Sequence, residues 1–319
     1  NRILASDDAE ATAESLGYRV REGRIQVVIQ VVEGTTREVE VWLKERGSLF
    51  VVVVGDLVQA FVPTKHLREL NDNPRVLYVR RPLYREPEPD SAQADPLKIE
   101  ALTEGLQAMN GAAWHSQGFR GQGVSVAVID GGFEGMDALV GPELPPAGQL
   151  VMLTFGGTPF YGADHGTACA EVVFDVVPEI ETMYLFATNT EVDIAQAVTE
   201  ASNRDADVIS MSLGALYWGP GDGTGVIASA LNAFTAAGGV AVVSAGNQRL
   251  SHWQGTWDDP DSNGYLNFAT GLNENFLTSD GTNMMWFGPL TRISAQLVWN
   301  QWSAPATDLD LCIVGWDGA

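Results

Sequence analysis

The middle of the chain alternates apolar strand-like segments with helix-like segments, and this order restricts the possible folds more than any other feature. The segments predicted as strands are Val124–Ile129, Thr182–Phe186, Val208–Met211 and Val240–Val243. Helices are predicted between them at Gly166–Phe174, Asp193–Arg204 and Val226–Ala237. Strands joined by helices of this length pair in parallel, and a parallel sheet has to be covered on both faces. We therefore predict an α/β domain over residues 91–250, with helices on both faces of a parallel sheet.

Residues 1–90 have a different order of elements and are predicted to form a smaller α+β unit. Its predicted elements are a strand at Arg24–Val32, a hairpin within Leu49–Pro63, a short helix at Thr64–Asn73 with Thr64 as its N-cap, and a strand at Arg75–Arg81. Thr36–Arg46 fits either a helix or a second strand. If it is a helix, the order becomes β-α-β-β-α-β, which is the ferredoxin-like pattern.

Two further segments differ in composition from these domains. Residues 82–96 are rich in proline and acidic residues, which predicts an extended, exposed linker that proteases would cut. Six of the nine tryptophans follow residue 250, where Ile293–Trp299 and Asp308–Val314 alternate apolar and polar residues. This alternation is typical of half-buried antiparallel strands. Residues 251–319 are therefore predicted to be the start of a β-sandwich domain.

The charge of the chain excludes some classes of partner. Its 319 residues contain 41 acidic and 18 basic side chains, which gives a net charge of −23. Such a chain is repelled by nucleic acid and by anionic membranes, so neither is expected as a partner. The two cysteines are too few for a disulfide framework or a thiolate metal site. The strong acidity fits a secreted, extracellular protein.

Three polar residues at the ends of predicted elements are candidates for chemistry. Asp130 ends an apolar strand and precedes two glycines, in the place where open α/β sheets bind ligands. His165 opens a stretch of small residues, and an imidazole there could act as a general base. Asn247 follows another strand, where its amide could donate to an oxyanion. Taken singly, each also fits a structural role in a loop, a cap or a turn.

Together these segments resemble the subtilisin-like serine proteases, the subtilases. The segments that carry the resemblance are Val128–Gly132 around the acid, His165–Thr167 around the base, and Ser212–Gly214 and Ser244–Asn247 after two strands. Their order along the chain is the order of the family. The resemblance implies a subtilisin-like fold and peptide-bond hydrolysis through an acyl-enzyme.

The resemblance also implies a role for each matching residue. Asp130 would orient His165, His165 would take a proton from a catalytic serine, and Asn247 would help to hold the oxyanion. Three residues would bind the substrate backbone as an added strand: Ser212, Leu213 and Gly214. Polypeptides would be the substrates, and the N-terminal unit would act as a pro-domain, an intramolecular inhibitor that makes the protein a zymogen.

The sequence departs from the family at the nucleophile, because no Gly-Thr-Ser occurs in the chain. The nearest string is Gly281-Thr282-Asn283, which is followed by bulky residues and Pro289. These do not suit the small-residue helix that the family places behind its serine. We therefore expect the serine to lie beyond residue 319, so that these 319 residues alone are inactive. The alternative is that Asn283 replaces the serine and the protein is an inactive binding or scaffold protein.

Two remaining features have mainly structural interpretations. Cys169, four residues after His165, fits a small buried packing residue better than a thiol nucleophile. Asp308 and Asp310 lie on one face of a predicted strand, where a solvated face is expected and a calcium contact is the alternative. No cofactor is required by the sequence, and calcium is the only metal that it suggests.

Overall fold

The computed structural model describes residues 2–85, 104–214, 218–246, 254–260 and 262–267, together with residues 297, 299, 307 and 309. The chain divides into two compact units, Asn1–Ala245 and Gly246–Ala319. Within the second unit, the described residues lie in no helix or strand. The predicted β-sandwich strands fall almost wholly outside the described residues and stay a prediction. In the described part of the chain, every helix is too short or too polar to cross a bilayer.

The first unit contains two sheets, which follow one another along the chain. The first part comprises α1 (Ala9–Ser15), β1 (Val20–Arg21), β2 (Arg24–Val31), α2 (Thr36–Glu45), β3 (Leu49–Val54), β4 (Leu57–Pro63), α3 (Leu67–Asn71) and β5 (Val76–Arg80). The second part comprises α4 (Glu104–Ala108), α5 (Gly111–Ser116), β6 (Ser125–Asp130), β7 (Leu150–Thr154), α6 (His165–Val176), β8 (Thr182–Ala187), α7 (Glu191–Asn203), β9 (Val208–Met211), α8 (Val226–Ala236) and β10 (Val240–Val243). Both parts belong to one compact unit, so the predicted domain boundary near residue 90 stays a prediction.

The N-terminal sheet has the ferredoxin-like arrangement. Its strands lie in the order β3-β4-β2-β5, every pair is antiparallel, and the short β1 pairs with the start of β2. The ambiguous segment after β2 is a helix, α2. The N-cap predicted at Thr64 is wrong, because residues Thr64–His66 form a 3-10 turn and α3 begins only at Leu67. The Thr64 hydroxyl therefore lies a turn before the helix and makes no capping hydrogen bond.

Both faces of this sheet are covered, which explains why almost every residue of β2 is buried. Ile25, Val27 and Ile29 alternate onto the face that packs on the N-terminal helices. Val28 points to the other face, where it packs with Val192 of α7. The N-terminal sheet is thus attached by its second face to a helix of the parallel sheet.

The second sheet is parallel throughout, as the strand–helix alternation predicts. Its order is β10-β9-β6-β8-β7. Along the central β6, Val126 and Val128 pack in the core on the side of α6, while Ala127 and Ile129 pack on the side of α7 and α8. Since all five strands run in the same direction, the loops after β6, β8, β9 and β10 meet at one edge. That edge carries the candidate site.

Candidate active site

The carboxylate of Asp130 is fixed at the end of β6 by its own loop. The residue is fully buried. Its backbone carbonyl accepts hydrogen bonds from the N–H and the hydroxyl of Thr188, at 2.8 and 3.1 Å. Its Oδ1 accepts the N–H of Gly131 at 2.6 Å. One carboxylate oxygen is thereby occupied, and the other, Oδ2, is directed at His165.

His165 is the first residue of α6, and its Nδ1 lies 2.8 Å from Oδ2 of Asp130. The pair is 35 positions apart in sequence, and the hydrogen bond predicted between them is present. A carboxylate oxygen can only accept a hydrogen bond, so the proton lies on Nδ1 and the lone pair on Nε2. The imidazole is 32% exposed, whereas the carboxylate is buried. The arrangement is that of a general base whose tautomer and orientation are set by a buried acid.

Gly166 allows α6 to approach β6 closely enough for this contact. A Cβ at position 166 would lie 2.8 Å from Cβ of Asp130 and 2.9 Å from the ring of Phe133, and closer still to the carbonyl oxygen of Gly132. Real Cβ atoms essentially never come within 3.0 Å of such neighbours. The small residue after the histidine is therefore a packing requirement of the Asp–His pair.

Replacing Gly166 with alanine should destabilise the fold by about 1–3 kcal/mol, the usual cost of overpacking. The reason is that Asp130 cannot withdraw without breaking the hydrogen bonds described above. The measurement is the urea-unfolding free energy of the Gly166→Ala variant. The matched control is Gly148→Ala, where an added Cβ meets no atom within 4 Å. Equal stability of the two variants would contradict this account of the close approach.

Cys169 lies one turn after His165 on α6, and its sulfur contacts the imidazole. Its Sγ is 3.8 Å from Nδ1 and 3.9 Å from Nε2. The sulfur is therefore in contact with the imidazole ring. The predicted packing role agrees with this position.

Three side chains here form the group best able to hold a metal among the described residues: Asp130, His165 and Cys169. Their ligand atoms lie within 4.8 Å of one another. A metal on Nδ1 would have to displace the hydrogen bond to Asp130. The donor set as arranged suits an Asp–His pair better than a metal centre. Asp308 and Asp310, the calcium candidates, lie outside the described residues.

The other candidate residues follow β9 and β10. The side chain of Leu213 is buried in the core beside α7 and α8, while Ser212 is half-buried and Gly214 is exposed. The Ser244 hydroxyl donates to the Leu213 carbonyl at 3.2 Å, and the Ser244 N–H donates to Met211 at 3.0 Å. These bonds join the two loops at the sheet edge. Asn247, the predicted oxyanion donor, lies outside the described residues.

The segment after β5 reaches the loop that follows Asp130, contrary to the prediction of an exposed linker. Pro82 is buried, and residues 83–85 are half-buried. Tyr84 forms an antiparallel bridge with Thr190, and the Arg85 N–H donates to the Asn189 carbonyl at 2.8 Å. Main-chain pairing therefore holds residues 82–85 against the sheet domain. The rest of the predicted linker, residues 86–96, lies outside the described residues.

Two adjacent side chains of this segment, Tyr84 and Arg85, also hold it in place. The guanidinium of Arg85 packs directly on Gly131, the neighbour of Asp130. Tyr84 faces the N-terminal unit, where its hydroxyl accepts the Arg19 N–H at 3.1 Å and its ring lies 5.1 Å from the Arg19 guanidinium. Burial raises the pKa of Tyr84 to about 12. The segment thus bridges the N-terminal sheet and the loop that follows Asp130.

A buried polar network joins the N-terminal sheet to the start of α7. The Gln59 amide donates to Oδ1 of Asp193 at 2.8 Å and accepts the Thr190 hydroxyl at 2.8 Å. Thr190 and Asp193 also cap α7 reciprocally. Burial raises the pKa of Asp193, against the lowering effect of its hydrogen bonds. The spacing of Thr190 and Asp193 is a visible capping signal, but nothing in the sequence links either residue to Gln59.

Glu191, the first residue of α7, forms a second buried contact. Its Oε1 lies 2.7 Å from Nη1 of Arg80, and its Oε2 accepts the Leu83 N–H at 2.9 Å. Burial raises the pKa of Glu191, outweighing the lowering effect of Arg80. The sequence analysis did not identify Glu191, because an acidic residue in a first helical turn is common.

Comparison with known proteins finds a family whose model matches part of this chain. Residues 121–270 match the model of the subtilase family. The matched range includes the segments Val128–Gly132, His165–Thr167, Ser212–Gly214 and Ser244–Asn247. No curated protein matches the chain at a significant level.

Several solved proteases are similar to this chain. A mutant of the epidermin leader peptide processing serine protease EpiP from Staphylococcus aureus is 12% identical, with a TM-score of 0.45 over 71% of this chain and 61% of that one. A lanthipeptide protease is 22% identical, with a TM-score of 0.36 over 47% of this chain and 50% of that one. MycP1 from the ESX-1 type VII secretion system is 24% identical, with a TM-score of 0.35 over 49% of this chain and 48% of that one. The chain thus spans less than two thirds of the length of each.

Proposed function

We propose that the chain contributes the acid and the base of a serine endopeptidase of the subtilisin type. The observation that carries the proposal is the 2.8 Å contact between Asp130 and His165 at the edge of a parallel sheet. In the proposed reaction, His165 takes the proton of a serine hydroxyl while Asp130 stabilises the imidazolium that forms. The serine attacks the peptide carbonyl, and His165 then returns the proton to the leaving amine.

The remaining parts of the proposed site are assigned by the subtilase resemblance. Asn247 donates to the oxyanion, and the backbone of Ser212, Leu213 and Gly214 pairs with the substrate. The nucleophilic serine is supplied from outside the 319 residues. The exposed Gly214 and half-buried Ser212 support a backbone-binding role, because a substrate strand needs an accessible edge. We propose polypeptides as the substrates and an extracellular location. Calcium binding at Asp308 and Asp310 remains part of the proposal.

We further propose that the N-terminal unit inhibits the enzyme as a pro-domain. Residues 83–85 run as an added strand along Asn189–Glu191 and end with Arg85 on Gly131. A substrate strand approaching the Asp–His pair along this edge would compete for the same backbone groups. Displacement or cleavage of the segment would then convert a zymogen into an active protease.

The buried carboxyl groups of Glu191 and Asp193, at the start of α7, should make the stability of the fold depend on pH. Their pKa values are raised in the folded chain above the ordinary values of 4.5 for Glu191 and 3.8 for Asp193. A raised pKa means that the folded state binds protons more tightly than the unfolded state, so stability falls as the pH rises through the raised values. Between about pH 4 and about pH 7, the free energy of urea unfolding should fall less for Glu191→Gln than for the wild type.

The control for this experiment is Glu200→Gln, which removes a carboxylate from the same helix. Glu200 pairs with Arg204 at the partly exposed end of α7, away from the N-terminal sheet. Its variant should follow the wild-type curve. A Glu191→Gln curve parallel to the wild type would show that burial of Glu191 does not contribute to the pH dependence.

The second candidate function is an inactive subtilase-like binding or scaffold protein. The observation that favours it is Asn283, which stands where a serine would be expected in the string nearest to Gly-Thr-Ser. The two functions differ in one assay, the release of acid-soluble peptides from casein. We expect release by the full-length product of the gene and none by the 319-residue chain. No release by the full-length product would favour the binding protein.

A further inference from the structure

Glu191 is the last residue of Asn189–Glu191, the segment that pairs with residues 83–85 and that we call the docking edge. Leu83, Tyr84 and Arg85 lie opposite Glu191, Thr190 and Asn189 in antiparallel order. Arg85 reaches Gly131 beside the catalytic aspartate. The Glu191 carboxylate therefore contacts two residues that precede Arg85. It accepts the main-chain N–H of Leu83, two positions before Arg85, and pairs with the side chain of Arg80, five positions before it.

Both carboxylate oxygens of Glu191 are used by this one segment. Oε1 contacts the Arg80 guanidinium at 2.7 Å, and Oε2 accepts the Leu83 N–H at 2.9 Å. The residue is only 1% exposed. A carboxylate in such a place is costly unless a cation and hydrogen-bond donors accompany it. An occupant that replaces residues 80–85 therefore has to supply the same two groups.

The chemistry of the present occupant indicates which cation fits. The chain has 18 basic residues, yet three of the six residues from 80 to 85 are arginines. A guanidinium keeps its charge when partly buried and donates in a fixed planar geometry, which a lysine ammonium does not. Arg80 uses the same Nη1 to donate to the carbonyl of Arg81 at 3.0 Å, which holds the guanidinium in place.

We propose that Glu191 is a specificity-determining residue that selects polypeptides with an arginine five positions before the residue packed on Gly131. This inference rests on the proposed function, because it takes Asn189–Glu191 and Ser212–Gly214, which follow the two strands on either side of β6, to be the two sides of the substrate-binding site. Arg80 is then the intramolecular copy of the arginine that a substrate or a protein inhibitor would present. The chemical class of ligand is an extended peptide with an arginine at that position.

The test uses two fluorescent peptides and the full-length product of the gene with Arg80→Gln, so that its own segment no longer supplies the guanidinium to Glu191. One peptide copies residues 78–86, and the other has glutamine in place of the arginine that corresponds to Arg80. Binding is followed by fluorescence anisotropy and by inhibition of casein hydrolysis. We expect the arginine peptide to bind at least about 10-fold more tightly than the glutamine peptide, as for a charge-assisted hydrogen bond. Glu191→Gln should abolish this ratio, and Glu200→Gln should leave it unchanged.

The outcomes separate this inference from the proposed function. Equal binding of the two peptides, a ratio that survives Glu191→Gln, or no binding of either peptide would overturn the inference. Unchanged binding of the glutamine peptide by Glu191→Gln verifies that the variant is folded. If casein is not hydrolysed, the proposed function fails, while anisotropy still decides whether Glu191 selects arginine.

Discussion

In the full-length product of the gene, His165→Ala should lower kcat by about 10⁶-fold, and Asp130→Asn should lower it by about 10⁴-fold. Without the imidazole, no group accepts the serine proton. With asparagine, the side chain can donate to Nδ1, which favours the tautomer that cannot act as a base at Nε2. KM should change little, because neither change alters the docking edge. The measurement is steady-state hydrolysis of a peptide substrate.

The control for these variants is His115→Ala. His115 also contacts a hydrogen-bond partner, the carbonyl of Val176 at 2.9 Å, but it lies at the start of the sheet domain and not beside Asp130. Its removal should leave kcat within a few fold of the wild type. If His115→Ala lowered kcat as much as His165→Ala does, the kinetic effect would report a loss of folding instead of a loss of catalysis.

The largest effect on stability is expected at Gln59. Gln59→Glu replaces the amide that donates to Asp193 by a second buried carboxylate, which leaves two like charges together without a donor between them. The expected cost is about 3–5 kcal/mol at neutral pH, as for an uncompensated buried charge. In acid, the introduced carboxyl group becomes a donor again, so the cost should shrink. The free energy of urea unfolding, measured at neutral pH and in acid, gives this cost under the two conditions.

The matched control is Gln30→Glu on the neighbouring strand β2. Gln30 is half-buried, and its amide reaches only the Val31 carbonyl, at 3.5 Å. The same change of charge should therefore cost less there, and the cost should not depend on Asp193. If both variants lose the same stability, the buried network does not hold the N-terminal sheet to α7.

The parallel sheet and the Asp–His pair could be predicted because they depend on local patterns. Apolar strands that alternate with helices require parallel pairing, and parallel pairing brings the strand ends to one edge. Asp130 ends such a strand, and the glycine after His165 indicates a close approach of a helix. The strand β7 was not predicted, because a 3-10 turn at Ala147–Gln149 precedes it instead of a helix.

The contacts between the N-terminal sheet and α7 could not be predicted in this way. Gln59 reads as a polar residue in a strand, yet its partner Asp193 is 134 positions away. The composition of residues 82–96 indicates an exposed linker, whereas main-chain pairing with Asn189 and Thr190 holds its first residues. Docking of this kind depends on the register between two distant segments, which no local pattern encodes.

The most direct test of the proposed catalytic pair is labelling by a fluorophosphonate probe, with the modified residue identified by mass spectrometry. In the full-length product of the gene, we expect one serine outside these 319 residues to react stoichiometrically, and His165→Ala to abolish the reaction. The 319-residue chain alone should remain unlabelled. Labelling that persists in His165→Ala, or that falls on a serine within the 319 residues, would contradict the assignment of Asp130 and His165 as the acid and base of a serine protease.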